Sequence, residues 1–184
     1  MKLKINKKKL RKLVPTENAF LSLCTSIIFQ QISTKAGDSI RGKFLASFGR
    51  KKVTAENFLQ IKPAELRSAG ISPQKLTYIT DLARKFVDRT IDHKNFHKMS
   101  DSEVKEHLIQ VKGIGSWTAD MFLIFALNRP DILPVGDLGI KKGFQKAFNL
   151  KSTPSESKML SLARPHLGDR TSLSLHLWDI LDID

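Results

Sequence analysis

Two short stretches in the second half of the chain combine residue types that could act on a phosphodiester and on the sugar beside it. The first is Leu108-Ile109-Gln110-Val111-Lys112-Gly113-Ile114-Gly115-Ser116-Trp117-Thr118-Ala119. Here two glycines stand between apolar Val111 and Ile114, one helix is expected to end near Gln110, and another to begin at Ser116. Glycines let the backbone turn tightly and approach another surface closely. With no side chain in the way, the amides of Gly113 and Gly115 can meet a phosphate at a helix N-terminus, and Lys112 adds a positive charge there. The stretch reads as a helix–hairpin–helix pattern, expected over about 101–126, an arrangement suited to gripping a nucleic-acid backbone without reading its sequence. The second stretch is Pro134-Val135-Gly136-Asp137-Leu138-Gly139-Ile140-Lys141, whose Asp137 lies twenty residues past Trp117. A helix is expected over 138–148 with Asp137 as its N-cap, where a carboxylate gains about 0.3–1 kcal/mol from the helix dipole. An anion fixed beside a sugar is what oxocarbenium-like chemistry at C1′ requires. Taken singly, Asp137 reads first as an ordinary cap and the glycine pair as an ordinary interhelical turn.

The elements that must hold these stretches all read as helix. Thr16 is expected to cap a helix carrying Phe20, Leu23, Ile27 and Ile28 on one face. Ser33 or Thr34 opens the next, with Ile40, Phe44 and Phe48 at four-residue steps and Gly49 as the stop. Pro63 and Gly70 bound a short helix, and Ser72-Pro73 opens a longer one facing Ile79, Leu82, Ala83 and Phe86 inward. Ser100 with Glu103, and Thr153 with Glu156, give capping-box patterns. The last helix carries Leu173, Leu177, Trp178 and Leu181. No period-two alternation between hairpin turns occurs, so the fold expected is all-α, an irregular helical bundle. His93 and His97, four apart in Lys-rich surroundings, read as a solvated face.

Composition narrows the function classes. The 184 residues hold 31 Lys+Arg against 18 Asp+Glu, a net charge of +13. Residues 1–12 supply seven of the basic residues and no acid, and the remainder still carries +6. We therefore read a basic N-terminal arm over 1–14 ahead of a helical body over 15–184, with a polyanion, nucleic acid before membrane, as the natural partner. No apolar run nears the roughly 20 residues of a membrane helix, and no secretory leader is expected. The single Cys24 excludes an internal disulfide, a Cys-ligated zinc and a four-Cys iron–sulfur cluster, which fits an intracellular location.

Together, Val-Lys-Gly-Ile-Gly-Ser-Trp-Thr-Ala (111–119) and Pro-Val-Gly-Asp-Leu-Gly-Ile (134–140) resemble the helix–hairpin–helix, Gly/Pro-rich loop and invariant-Asp signature of the HhH-GPD superfamily of DNA glycosylases. The likeness is strongest to the 3-methyladenine DNA glycosylase II, or alkylation-repair, branch. Residues 27–33, 70–83 and the terminal Arg-Thr-Ser…Leu-Trp (170–178) support it, so it covers roughly 16–182. The resemblance implies two helical lobes with the active site in the cleft between them. It also implies a monofunctional enzyme that flips a damaged nucleotide out of double-stranded DNA and hydrolyses its N-glycosidic bond, leaving an abasic site. Asp137 then stabilises the oxocarbenium-like sugar and orients water. Bifunctional relatives carry at position 117 a lysine that forms a Schiff base. Trp117 cannot, but its face suits cationic bases such as 3-methyladenine and 7-methylguanine.

By the same resemblance Gln31 occupies the place of the wedge that fills the gap left by the flipped base, and Tyr78 lines the base pocket. Lys112, Gly113, Ile114, Gly115, Ser116 and Thr118 meet the DNA backbone. No cofactor is implied, except for a sodium or potassium ion held by the carbonyls of Ile109, Val111 and Ile114 when DNA is bound. The expected state is a monomer, away from membranes, in the cytoplasm and nucleoid of a bacterium or the nucleus of a eukaryote. Two alternatives stay open: a non-catalytic helix–hairpin–helix DNA-binding protein, and a glycosylase-lyase for other damaged bases. One departure from the branch is Ala163-Arg164-Pro165-His166-Leu167-Gly168-Asp169-Arg170, where relatives often have Trp-Arg-Pro-Tyr-Arg-Ser.

Overall fold

A computed structural model describes residues 3–182. Met1, Lys2, Ile183 and Asp184, the ends of the basic arm and of the helical body as read from the sequence, lie outside the described residues. Among the described residues there are ten α-helices, two 3-10 turns and no strand. The helices are α1 (Ala19–Phe29), α2 (Thr34–Ala46), α3 (Ala55–Leu59), α4 (Pro63–Ser68), α5 (Pro73–Val87), α6 (Asp101–Ile109), α7 (Ser116–Phe125), α8 (Leu138–Ala147), α9 (Glu156–Ala163) and α10 (Arg170–Asp182). The all-α expectation therefore holds. None of these helices is long and apolar enough to cross a membrane.

Polar caps set most helix starts where the sequence suggests. Ser33 and Ser72 accept the N–H groups of Ala36 and Lys75, and Ser100 and Glu103 form a reciprocal capping box. Two starts shift inward. Asn18, not Thr16, caps α1: its Oδ1 accepts the Leu21 N–H at 2.9 Å while its Nδ2 donates to the Val53 carbonyl at 2.8 Å. Thr16 accepts the Asn18 N–H instead. Ser155, not Thr153, caps α9, which puts Glu156 at the first helical position and not the third. Five-residue α3, capped by Thr54, is too short to show a period in the sequence. His93 is not a solvated residue. It stacks on Phe86 at 4.2 Å between ring centroids and 1° between planes, and burial pulls its pKa down.

The chain divides into two compact units. One comprises residues 16–122, with α1 to α6 and the start of α7. Its core is aliphatic and aromatic: Leu23, Cys24, Ile27 and Ile28 of α1 are fully buried, and Phe20, Phe44, Phe58 and Phe86 form tilted ring pairs 5.9–6.2 Å apart. The other comprises residues 123–182 together with 3–15, so the described part of the basic N-terminal segment packs with this unit. Leu3 and Ile5 rest on a core of Ile140, Phe144, Met159, Ala163, Leu173 and Leu177. Lys7 pairs with Asp169 at 2.6 Å, and the Arg11 guanidinium lies 5.8 Å over the Phe125 ring. The departing stretch at 163–170 thus supplies the acid to which the N-terminal segment is tied. At Gly143 a Cβ would come within 2.5 Å of the Leu177 carbonyl oxygen, so this glycine lets α8 and α10 approach backbone to backbone.

Candidate active site

The hairpin is held by the unit of residues 16–122 through contacts on three sides. Gly113 has φ +78°, and a Cβ there would overlap the Tyr78 ring, so the glycine is required by both conformation and space. The Gln30 side-chain amide donates to the Gly113 carbonyl at 2.9 Å and to the Thr118 hydroxyl at 3.2 Å. The Lys112 N–H donates to Asp81 Oδ2 at 2.9 Å, and the same oxygen takes the Lys85 ammonium at 2.6 Å. Burial pushes the Asp81 carboxyl up, but these hydrogen bonds outweigh it and leave the group below the usual carboxylate range. A further ion pair, Lys105–Asp120 at 2.5 Å, links α6 to α7, where burial pushes the Asp120 carboxyl up against the pull of Lys105.

The outward face of this hairpin carries part of the expected set. Lys112, Gly113, Gly115 and Ser116 are exposed, and a Cβ on Gly115 would meet nothing within 4 Å. Ile114 is buried and its N–H closes a turn onto the Val111 carbonyl at 3.1 Å. Thr118 is only 3% exposed and its hydroxyl accepts from Gln30, so its side chain faces the interior and not a DNA backbone. The carbonyls of Ile109, Val111 and Ile114 are neutral oxygens with two lone pairs each, a donor set that fits a monovalent cation better than a divalent one.

Beside the hairpin, Trp117 and Tyr78 line one pocket of about 430 Å³ together with Gln30, Gln31, Gln74 and Lys75. Trp117 is 43% exposed. The Tyr78 hydroxyl accepts from the Gln74 amide at 2.7 Å. Gln31 is exposed and holds φ +57°, a left-handed conformation uncommon for a residue with a side chain. The sequence reading assigns no role to Lys75 or Gln30. Lys75 Nζ donates to the carbonyls of Ile28 at 2.7 Å and Gln30 at 2.8 Å at the end of α1, and burial pulls its pKa down. The signal for Lys75 was its place in the 70–83 stretch, but only the fold reveals what the ammonium meets.

Asp137 belongs to the other unit, and it is the N-cap of α8 as expected. Its Oδ1 accepts the Ile140 N–H at 2.8 Å and the Trp178 indole N–H at 2.9 Å. The indole stacks on Phe125, with centroids 5.8 Å apart. A Cβ on Gly139 would come within 2.9 Å of both the carboxylate oxygen and the indole, so the corner closes only around glycine. The loop before Asp137 is anchored on α10. Arg170 makes a two-pronged pair with Asp131 at 2.6 and 2.8 Å, which holds that carboxyl below the usual range. The Thr171 hydroxyl bridges the Arg129 carbonyl and the Ile132 N–H, and Ser174 donates to the Ile132 carbonyl at 2.9 Å. Sequence reasoning used 170–178 as a helix face and as part of a resemblance; the structure ties Trp178 to Asp137 itself, and Arg170, Thr171 and Ser174 to the stretch 129–132 before it.

Comparison with known proteins bears on the family and the fold. The family model described as HhH-GPD superfamily base excision DNA repair protein matches residues 24–165. A DNA-3-methyladenine glycosylase of Saccharomyces cerevisiae is 38% identical over 143 residues, 73% of this chain and 48% of that protein. The crystal structure of a DNA-3-methyladenine glycosidase from Bacillus halodurans superposes with a TM-score of 0.83 at 31% identity, covering 92% of this chain and 78% of the other. The 3-methyladenine DNA glycosylase of Schizosaccharomyces pombe in complex with abasic DNA gives 0.81 at 26% identity, covering 94% and 84%. The chain spans about half the length of the curated relatives from Saccharomyces cerevisiae and Bacillus subtilis that it matches.

Proposed function

The chain belongs to the HhH-GPD superfamily of base excision DNA repair proteins, and on that premise we propose that it is a monofunctional DNA glycosylase releasing alkylated purines from double-stranded DNA. The observation that carries this reading is Asp137, a carboxylate fixed by a backbone N–H and an indole N–H, a corner more elaborate than a cap requires. A pure DNA-binding module has no use for such a fixed anion, which would repel the phosphodiester. In the proposed reaction the carboxylate stabilises positive charge growing at C1′ as the base departs and orients the water that adds there. Preorganised charge of this kind needs no rearrangement at the moment of reaction.

The unit of residues 16–122 supplies the base-recognition surface. The Trp117 face offers a cation–π contact worth roughly 0.5–2 kcal/mol, enough to favour positively charged purines over normal ones. Such bases leave readily, so little proton donation is needed. Gln31 fills the vacated stack, while Lys112, Gly115 and Ser116 hold the backbone. A sodium or potassium ion on the carbonyls of Ile109, Val111 and Ile114 would add positive charge toward a phosphate. The protein works inside the cell as a monomer.

The lyase alternative requires a free amine at the sugar. Position 117 is Trp, and the lysine of this pocket, Lys75, spends its ammonium on two carbonyls. The test is incubation with methylated duplex DNA and chromatography of the released bases. We expect 3-methyladenine or 7-methylguanine, an intact strand bearing abasic sites, and no adduct trapped by borohydride. Binding without base release would favour the non-catalytic reading; strand cleavage with a trapped adduct would favour the lyase.

A further inference from the structure

We propose that Lys75 is a positioning residue for Gln31: with Gln30 it locks the turn after α1 so that the Gln31 side chain is presented in advance for insertion into the duplex. The inference rests on the reading of Gln31 as the wedge and concerns how the protein holds that wedge ready.

The last carbonyls of a helix lack partners within the helix, and a cation at that end is favoured. Lys75 reaches from α5 to two of them, Ile28 at 2.7 Å and Gln30 at 2.8 Å. The Gln30 carbonyl and the Gln31 N–H belong to one peptide plane, so anchoring one fixes the other. The Gln30 side chain is fastened separately, to Gly113 and Thr118 of the hairpin. Residue 30 is therefore held through both its main chain and its side chain. From that fixed plane the chain turns at Gln31 with φ +57°. A residue with a side chain enters this conformation at a cost, and it persists only where its surroundings impose it. Ser33 then caps α2 two residues later, fixing the far side of the turn. The outcome is an exposed glutamine on a turn whose flanks are tied to α5, to the hairpin and to α2. The ammonium gives up water for two carbonyls of this one turn. Without it the turn can relax to an ordinary φ, and Gln31 loses its fixed direction.

The probe is a duplex with a tetrahydrofuran abasic analogue opposite 2-aminopurine, whose fluorescence rises when a side chain enters the gap and unstacks it. It needs neither excision nor a known substrate base. Wild-type protein should raise the signal and Gln31→Ala should abolish the rise. Lys75→Met keeps the side-chain length but donates nothing. It should reduce insertion about tenfold, with affinity for undamaged duplex unchanged and Lys75→Arg restoring much of the loss. Gln30→Met, which cuts the tie to the hairpin, should show the same selective defect and serves if Lys75→Met does not fold. If Lys75→Met lowers undamaged binding equally and Arg does not rescue, Lys75 is merely structural and the inference is overturned. If Lys75→Met inserts normally while Gln31→Ala does not, the positioning role alone is wrong. If Gln31→Ala retains the full signal, the wedge assignment itself fails and takes this inference with it.

Discussion

The hairpin and the Asp137 corner are both helix N-termini, and their difference lies in who fills the positive end. At α7 the residue before Ser116 is Gly115, with no side chain and open space around it. At α8 the corresponding residue is Asp137, whose own carboxylate takes the position and is tied to the Trp178 indole. One helix start is therefore open to an anion from outside, while the other presents an anion of its own. A phosphate suits the first and a sugar acquiring positive charge suits the second. On the proposed reading, one side chain at the cap position decides between binding and chemistry.

The strongest way to break this comparison is Asp137→Asn. Asparagine caps a helix as well as aspartate and keeps an oxygen for Ile140 and Trp178, so folding should be unaffected. Single-turnover excision from methylated DNA should fall by about three orders of magnitude, with DNA affinity equal or tighter. Retention of a tenth of the activity would remove Asp137 from the mechanism. Next comes the converse, Gly115→Asp, which fills the hairpin end with the protein's own anion. Thermal stability should hold or rise slightly, while affinity for any duplex should drop by roughly one to two orders of magnitude at low salt. An unchanged filter-binding or anisotropy curve would show that no phosphate sits there.

A smaller effect separates the two glycines of the hairpin. Gly115→Ala should weaken duplex binding roughly tenfold, about one charge-assisted hydrogen bond, and leave the melting temperature alone. Gly113→Ala should destabilise the fold by about 1–3 kcal/mol, because φ +78° and the Tyr78 ring both oppose it. Equal effects on melting would mean that the two glycines are not doing different jobs. The smallest effect concerns the loop that carries Asp137. The Asp131 carboxyl is held below its ordinary value by Arg170, so the pair adds stability above about pH 4 and loses it as pH falls through the lowered native value. Wild type and Asp131→Asn should therefore differ by about 1 kcal/mol at pH 7 and converge toward pH 3 in urea titrations. A constant gap across that range would contradict the ion-pair account.

Much of this was legible in the sequence because it rests on local rules. Glycine pairs, serine and aspartate caps and apolar spacing gave the hairpin, the N-cap role of Asp137 and eight helices within a residue or two. What escaped depends on contacts distant in sequence. Asn18 outcompetes Thr16 as a cap because Val53, 35 residues on, accepts its amide. Trp178 reaches Asp137 across 41 residues, and Lys75 reaches Ile28 across 47. Thr118 looks like a surface hydroxyl beside Ser116 and Trp117, yet helical rotation turns it inward to Gln30. The N-terminal lysines read as an arm because charge dominates their composition, while the two residues that dock the segment, Leu3 and Ile5, are easily overlooked among them.

The chain contains two tryptophans, and each stands at one of these functional ends. Trp178 donates its indole hydrogen to the Asp137 carboxylate, while Trp117 is partly exposed on the pocket beside the hairpin, the proposed base pocket. The protein thus carries two intrinsic optical labels that report on different events. An indole hydrogen facing a carboxylate resonates away from one facing water, so the Trp178 signal in a proton spectrum follows the state of the Asp137 corner directly. Trp117 emission, read in a Trp178→Phe background, follows a base arriving on its ring. Binding of a nucleobase and events at the carboxylate can therefore be timed separately in one molecule without attaching any dye.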